Sequence, residues 1–414
     1  MEKVRKILVL CIGIVIYIYV CNITLLPNNI IIFKGEELNF KTFIGIDIRK
    51  SKENKAQIIQ ASKNIGNGEN IYTSAGSYEI NLDLFGTIPV KEINVNVIDR
   101  AKVIPCGDLI GLKMYTSGVL VVGMSEIDGI DNVKYKPYQN SGIKEGDMIV
   151  EINNKKITNT DELIKTVNSS NGKSLDIKYV RDEETKTTSM IPIKSINNEY
   201  KIGLWVRDAT AGVGTLTFYE PSTKNFAALG HGIVDSDTGG IFNIANGELV
   251  KSNLVSITKG EKNKPGEIKG FIDSSRSIGQ IYKNTNLGVY GNVSNVQNID
   301  SSRNKELDVA LRSEIQTGEA EMICELEPGK KEHYKINIEK IYSSNNYDNK
   351  SMLIKVTDER ILNKTGGIIQ GMSGSPIIQN GKFIGAVTNV LVSDPTTGYA
   401  IFGDLMIKQM REAG

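Results

Sequence analysis

Two side chains in this sequence have the types and settings to do chemistry together. The stretch "IIQGMSGSPIIQNGKFIGAV", Ile368 to Val387, clusters small residues around Ser373 and Ser375, then continues into a proline and two apolar runs. Glycine and serine lose backbone freedom there without burying any core, which marks a turn or a site. A serine hydroxyl is a weak nucleophile at neutral pH and needs a base, most often histidine. The chain has only two histidines, His231 and His333. His333 lies in "PGKKEHYKIN", among charges at the entry to a strand, the setting of a solvated surface residue. His231 lies in "NFAALGHGIVD", with glycine on both sides, so the chain can turn sharply and let the ring face a cleft. The pattern predicts Ser373 as nucleophile and His231 as its base, against a plain hairpin turn and a structural histidine.

The turn "GMSGSP", Gly371 to Pro376, is similar to the chymotrypsin-like nucleophile turn G-x-S-G-x-P. In that likeness the amides of Gly371 and Ser373 form the oxyanion hole, and Ser375 supplies a turn hydrogen bond. Met372 stands where many secreted trypsin-like enzymes carry an aspartate that pairs with a freed N-terminus. A cleavage switch of that kind has no partner here, so control is expected from elsewhere. An acid must also accept the imidazole N–H, and spacing leaves Asp235, Asp237, Asp273, Asp308 and Asp358 open for that role.

The elements that must position these groups are mostly strands. Residues 200–414 hold many short apolar runs divided by turns, such as "NLGVYGNV", "YKINIEKI" and "SPIIQNGKFIGAVTNVL". That pattern predicts a barrel or sandwich, and two six-stranded barrels with a cleft between them fit the length. Residues 105–196 carry "NSGIKEGDMIVEINNKKI" followed by "NTDELIKTVNSSNGK", and this segment resembles a PDZ domain of the bacterial protease type. Ile149 and Ile152 are expected in a small core, with Thr160 or Asp161 capping the helix. The resemblance implies a peptide groove between a strand near Gly118, Leu120 and Val122 and a helix face bearing Leu163 and Val167. A terminal carboxylate would meet the amides of Thr116, Ser117 and Gly118. Residues 33–104 read as a small β domain, with Ile93, Val95 and Val97 alternating toward one buried face.

The N-terminus is set apart. From Ile7 to Leu26 no residue is charged, and Lys3, Arg5 and Lys6 precede the run. Twenty apolar residues at about 1.5 Å each match a bilayer core of roughly 30 Å, so residues 1–28 are expected to form a transmembrane signal-anchor rather than a cleaved signal. The rest would then work outside the cytosol. The net charge of +1, from 49 basic and 48 acidic residues, gives no support for a nucleic-acid partner. Cys11 and Cys21 lie in the apolar run. Cys106 and Cys324, without clustered histidines, do not make a zinc site, and their pairing as a disulfide is open.

Taken together, the anchor, the small β domain, the PDZ-like segment, "ALGHGI" and "TGGIIQGMSGSP" resemble the stage IV sporulation protein B (SpoIVB) serine peptidases of endospore-forming bacteria. The resemblance implies a mainly β chain ending in a chymotrypsin-like double-barrel protease domain. His231 would be the base, Ser373 the nucleophile, and Asp358 in "LIKVTDERIL" the acid, with no metal or organic cofactor needed. It further implies export from the forespore into the space between the spore membranes and self-cleavage near the N-terminus. The other substrate would be a membrane-associated regulator of an intramembrane metalloprotease that processes a mother-cell sigma factor. The alternatives are an inactive PDZ scaffold and an envelope quality-control protease, which places its PDZ domain after the protease instead of before it.

Overall fold

The structure is a computed structural model that describes residues 26–34, 46–50, 75–84, 87–99, 101–299, 305–342 and 349–412, with scattered positions between 10 and 24. The expected anchor, Ile7 to Leu26, lies partly outside these residues. Among the described residues no helix is long and apolar enough to cross a membrane.

Period-two alternation builds the N-terminal sheet. Ile93, Val95 and Val97 all turn into its core with Ile80 and Leu82, because successive side chains of a strand point to opposite faces. Strands Gly76–Leu84 and Ile88–Ile98 pair antiparallel. Asn29–Phe33 adds parallel to the second and Ile46–Lys50 antiparallel to the first.

The PDZ-like unit combines strands Met148–Ile152, Leu175–Arg181 and Glu184–Met190 with the helix Thr160–Ser169. The helix cap is Asn159, not Thr160 or Asp161; its side chain accepts the Glu162 N–H at 2.9 Å. Leu163 and Val167, one turn apart, bury against Val119, Val121, Ile149 and Ile152.

Beyond it stand two closed six-stranded barrels. The first is ringed by Leu109–Met124, Asn246–Thr258, Glu267–Thr285, Gly288–Val293, Asn225–Ala228 and Leu204–Tyr219, the last returning to the first. Ile110, Leu112, Phe226 and Leu249 fill its interior. The second comprises Gly318–Glu327, Lys330–Ile341, Met352–Val356, Asp394–Phe402, Lys382–Leu391 and Pro376–Gln379. Met322, Ile336, Ile354 and Ile401 fill that one, and the helix Gly403–Arg411 packs against it. Phe218 of the first barrel meets Phe383 of the second edge to face, with ring centroids 5.1 Å apart. A buried ion pair, Lys331 with Asp108 at 2.8 Å, adds a second tie across the junction.

The barrel and the PDZ-like unit are not separable at residues 196–200. Strands Leu109–Met124 and Leu204–Tyr219 form one antiparallel pair that serves both. Residues 109–115 oppose 209–215 in the barrel wall, and residues 120–124 oppose 204–207 beside the PDZ-like helix.

Candidate active site

His231 is placed by a tight turn at the edge of the first barrel. Strand Asn225–Ala228 ends in Leu229 and Gly230, both left-handed at φ 68° and 69°. Such a φ is unfavourable for leucine, and burial of the Leu229 side chain in the barrel core holds it. The ring then lines a cleft of about 720 Å³ together with Val234, Asn286, Asn349 and Asn389. Its Nδ1 lies 2.9 Å from the Gly232 carbonyl. A carbonyl only accepts, so Nδ1 carries the proton and Nε2 keeps a lone pair for proton abstraction. Burial lowers the imidazole pKa, against a smaller opposing effect of the Gly232 bond, so the ring is held neutral.

Ser373 sits between two left-handed glycines, Gly371 and Gly374, at φ 97° and 96°. Within the turn Met372 N–H donates to Ile369, Gly374 to Val387 and Ser375 to Met372. Among the described residues the N–H groups of Gly371 and Ser373 donate to no acceptor. These are the two amides the nucleophile turn assigns to an oxyanion. The Ser373 hydroxyl donates to the Thr388 carbonyl at 2.7 Å and not to the imidazole. Catalytic hydrogen bonds are often unformed in a site without substrate.

Backbone contacts carry the two loops to each other. Thr215 N–H donates to the Ser373 carbonyl at 3.1 Å, and its hydroxyl to the Gly371 carbonyl at 2.8 Å. A methyl on Gly374 would fall on the Thr215 carbonyl and within 2.6 Å of the Leu229 nitrogen. A methyl on Gly230 would lie 2.9 Å from Thr388 Cγ2, on the residue whose carbonyl holds the serine. The histidine turn and the serine turn are thus in direct contact across the barrel junction. Sequence reading missed Thr215, Thr388 and the Gly232 carbonyl, because each acts through main-chain atoms or from inside an apolar run.

Asp358 stands at the N-terminus of the helix Glu359–Thr365, and its contacts do not support the acid role read for it. There the carboxylate caps the helix Glu359–Thr365, accepting the Arg360 N–H at 3.0 Å, and it also accepts from the Arg360 guanidinium and the Lys335 N–H. The guanidinium beside it holds its pKa down at about 2. Asp235 pairs with Arg207, Asp273 pairs with Arg276, and Asp308 sits in a short strand opposite Lys102. Among the described residues no carboxylate bonds to His231.

The remaining residues sort by their surroundings. His333 is exposed and pairs with Glu321 at 2.8 Å on the outside of the second barrel. Met372 is fully buried in the second barrel's core, so no charge stands at the position of the zymogen aspartate. The Ser375 hydroxyl is buried without a partner; its main chain, not its side chain, makes the turn bonds. Cys106 and Cys324 are not joined in a disulfide, and each faces a different barrel core. Leu120, Leu163 and Val167 are buried, Val122 is partly so, and Ser117 is exposed. Thr116 donates its hydroxyl to the Gly118 carbonyl and, at 3.2 Å, to the Asp208 carbonyl.

Two barrels meeting at a serine turn and a neutral histidine, joined to a PDZ domain, define a PDZ-bearing serine peptidase. Residues 109–191 match the PDZ domain family, and residues 198–407 match the SpoIVB peptidase S55 family. The chain belongs to the SpoIVB peptidase S55 family. A putative zinc metalloprotease of Staphylococcus aureus strain N315 is 27% identical over 162 residues, which are 34% of this chain and 38% of that protein. The chain thus spans well under half the length of the curated relatives it matches. The active form of Rv3671c protease from M. tuberculosis is 15% identical, covering 50% of this chain and 75% of that one with a TM-score of 0.29. The PDZ domain of an SdrC-like protein from Listeria monocytogenes is 21% identical over 22% of this chain and 87% of its own, with a TM-score of 0.18.

Proposed function

We propose that the chain is a sporulation endopeptidase acting outside the cytosol on itself and on a membrane-associated regulator of an intramembrane metalloprotease. The observation that carries the peptidase chemistry is the contact between the two turns, with the Gly371 and Ser373 amides open on one and His231, held neutral, following the other. Rotation of the Ser373 hydroxyl away from Thr388 toward His231 Nε2 lets the imidazole take its proton as the oxygen attacks a peptide carbonyl. The developing oxyanion is received by the two amides, and the imidazolium returns its proton to the leaving amine. The Gly232 carbonyl fixes the tautomer throughout. Apolar side chains exposed between Leu10 and Val20 favour an N-terminal membrane anchor, and with it exposure of the remainder outside the cytosol.

The test is self-cleavage of the full chain in detergent, compared with Ser373→Ala and His333→Ala. The wild type and His333→Ala should yield the same fragments while Ser373→Ala stays intact. Identical patterns from wild type and Ser373→Ala would favour the inactive scaffold.

A further inference from the structure

The groove of the PDZ domain already holds a strand. Residues 204–207 pair antiparallel with residues 120–124, the edge on which a PDZ domain receives an extended peptide. Leu204 and Val206 pack into the core that contains Leu163 and Val167, while Trp205 between them is 63% exposed. The chain on either side of residues 204–207 is tied to the two ends of the helix. Asn168 accepts the Tyr200 N–H at 2.9 Å near its C-terminus, and the Asp208 carboxylate accepts the Thr160 N–H at 2.7 Å at its N-terminus. Where a ligand's carboxylate would end, the pairing shifts register, and the Thr116 hydroxyl binds the Asp208 carbonyl at 3.2 Å.

The same strand reaches the loop that follows His231. Arg207 forks onto two carboxylates of the loop that follows His231: Asp235, which is buried, and Asp237 at 2.6 Å. Asp235 in turn accepts the N–H groups of Asp237 and Thr238, so the ion pair closes the loop into a fixed turn. A guanidinium held by two carboxylates is fixed in direction, so a displacement of the strand is passed to the loop.

We propose that residues 202–208 are an internal ligand of the PDZ groove, and that Arg207 is the positioning residue through which groove occupancy sets the His231 loop. The effect on catalysis rests on the peptidase reading of His231 and Ser373; the coupling itself does not. A free peptide competing for residues 120–124 would draw Arg207 from Asp235 and Asp237 and loosen the loop that follows His231.

The experiment uses the full chain with carbon-13-labelled histidine, which gives two ring signals, His333→Ala identifying the one from His231. Hydrogen exchange should find residues 120–124 and 204–207 protected in the wild type. Arg207→Ala should raise the His231 titration midpoint by roughly half a unit as the ring gains water, with Arg207→Lys in between and the His333 midpoint unmoved. The double variant Leu204→Asp, Val206→Asp, aimed at the groove alone, should speed exchange at 120–124 and move His231 in the same direction. A wild-type edge that exchanges like an open strand overturns the internal ligand. A His231 midpoint unchanged in Arg207→Ala, or in the double variant, overturns the coupling. If the double variant fails to fold, the wild-type exchange and the Arg207 pair still decide. These readings need no turnover, so an inactive chain would refute the peptidase function and leave this test standing.

Discussion

His231 is a base only while it is unprotonated. Its burial lowers its pKa from the ordinary histidine value, so the neutral form persists further into acid than a solvated imidazole would allow. Between the folded and unfolded pKa values the unfolded chain binds more protons, so acid both charges the base and weakens the fold that buries it. Asp358 has the same sign from a different cause. Its Arg360 partner holds its pKa near 2, and the stability it adds is present above the ordinary carboxylate value and is lost as pH falls toward 2. As helix cap and ion-pair partner, Asp358→Asn should lower the melting temperature by a few degrees and keep turnover within about tenfold where the variant is folded. A loss on the order of 10⁴-fold with an unchanged fold would restore it as the triad acid. Ser373 and His231 were legible as candidates because a nucleophile turn is local and histidine is scarce. The acid could not, since a carboxylate reaches an imidazole through space and five aspartates satisfied the chain order.

At the scale of elements, the serine turn depends on a glycine that the neighbouring barrel leaves no room to replace. Gly374 is left-handed and lies against the Thr215 carbonyl and the Leu229 nitrogen, so a methyl must push the two loops apart. Gly381 is also left-handed, at φ 75°, but a methyl there meets nothing within 4 Å. Gly374→Ala should cost about 2–5 kcal/mol and remove peptidase activity, whereas Gly381→Ala should cost about 1 kcal/mol and keep it. Equal losses in melting temperature for the two variants would mean that the loop contact is not what holds the turn. Alternation at Ile93, Val95 and Val97 was legible because period two is a local signal. The helix cap was misplaced by one residue, since Asn, Thr and Asp are all good caps in a row. The boundary read near residue 200 falls between the matched segments 109–191 and 198–407, but the pairing of Leu109–Met124 with Leu204–Tyr219 across it joins distant residues and leaves no local signal.

For the molecule as a whole, the second barrel carries Ser373 and the first carries His231, so under the proposed mechanism activity depends on the junction between them. Phe218 against Phe383 and Lys331 against Asp108 hold that junction, and residues 204–219 extend it into the PDZ domain. Two six-stranded barrels could be anticipated from the density of short runs, while their closure and the filled groove depend on pairings between distant residues. The central claim is that the imidazole at 231 activates the hydroxyl at 373. It is tested most directly by reacting the full chain with a fluorophosphonate across a pH series and locating the adduct by mass spectrometry. The account predicts one adduct, on Ser373, whose formation rate falls in acid with a midpoint below the ordinary histidine pKa, vanishes in His231→Ala and persists in His333→Ala. Labelling of another serine, or undiminished labelling of Ser373 in His231→Ala, would contradict it.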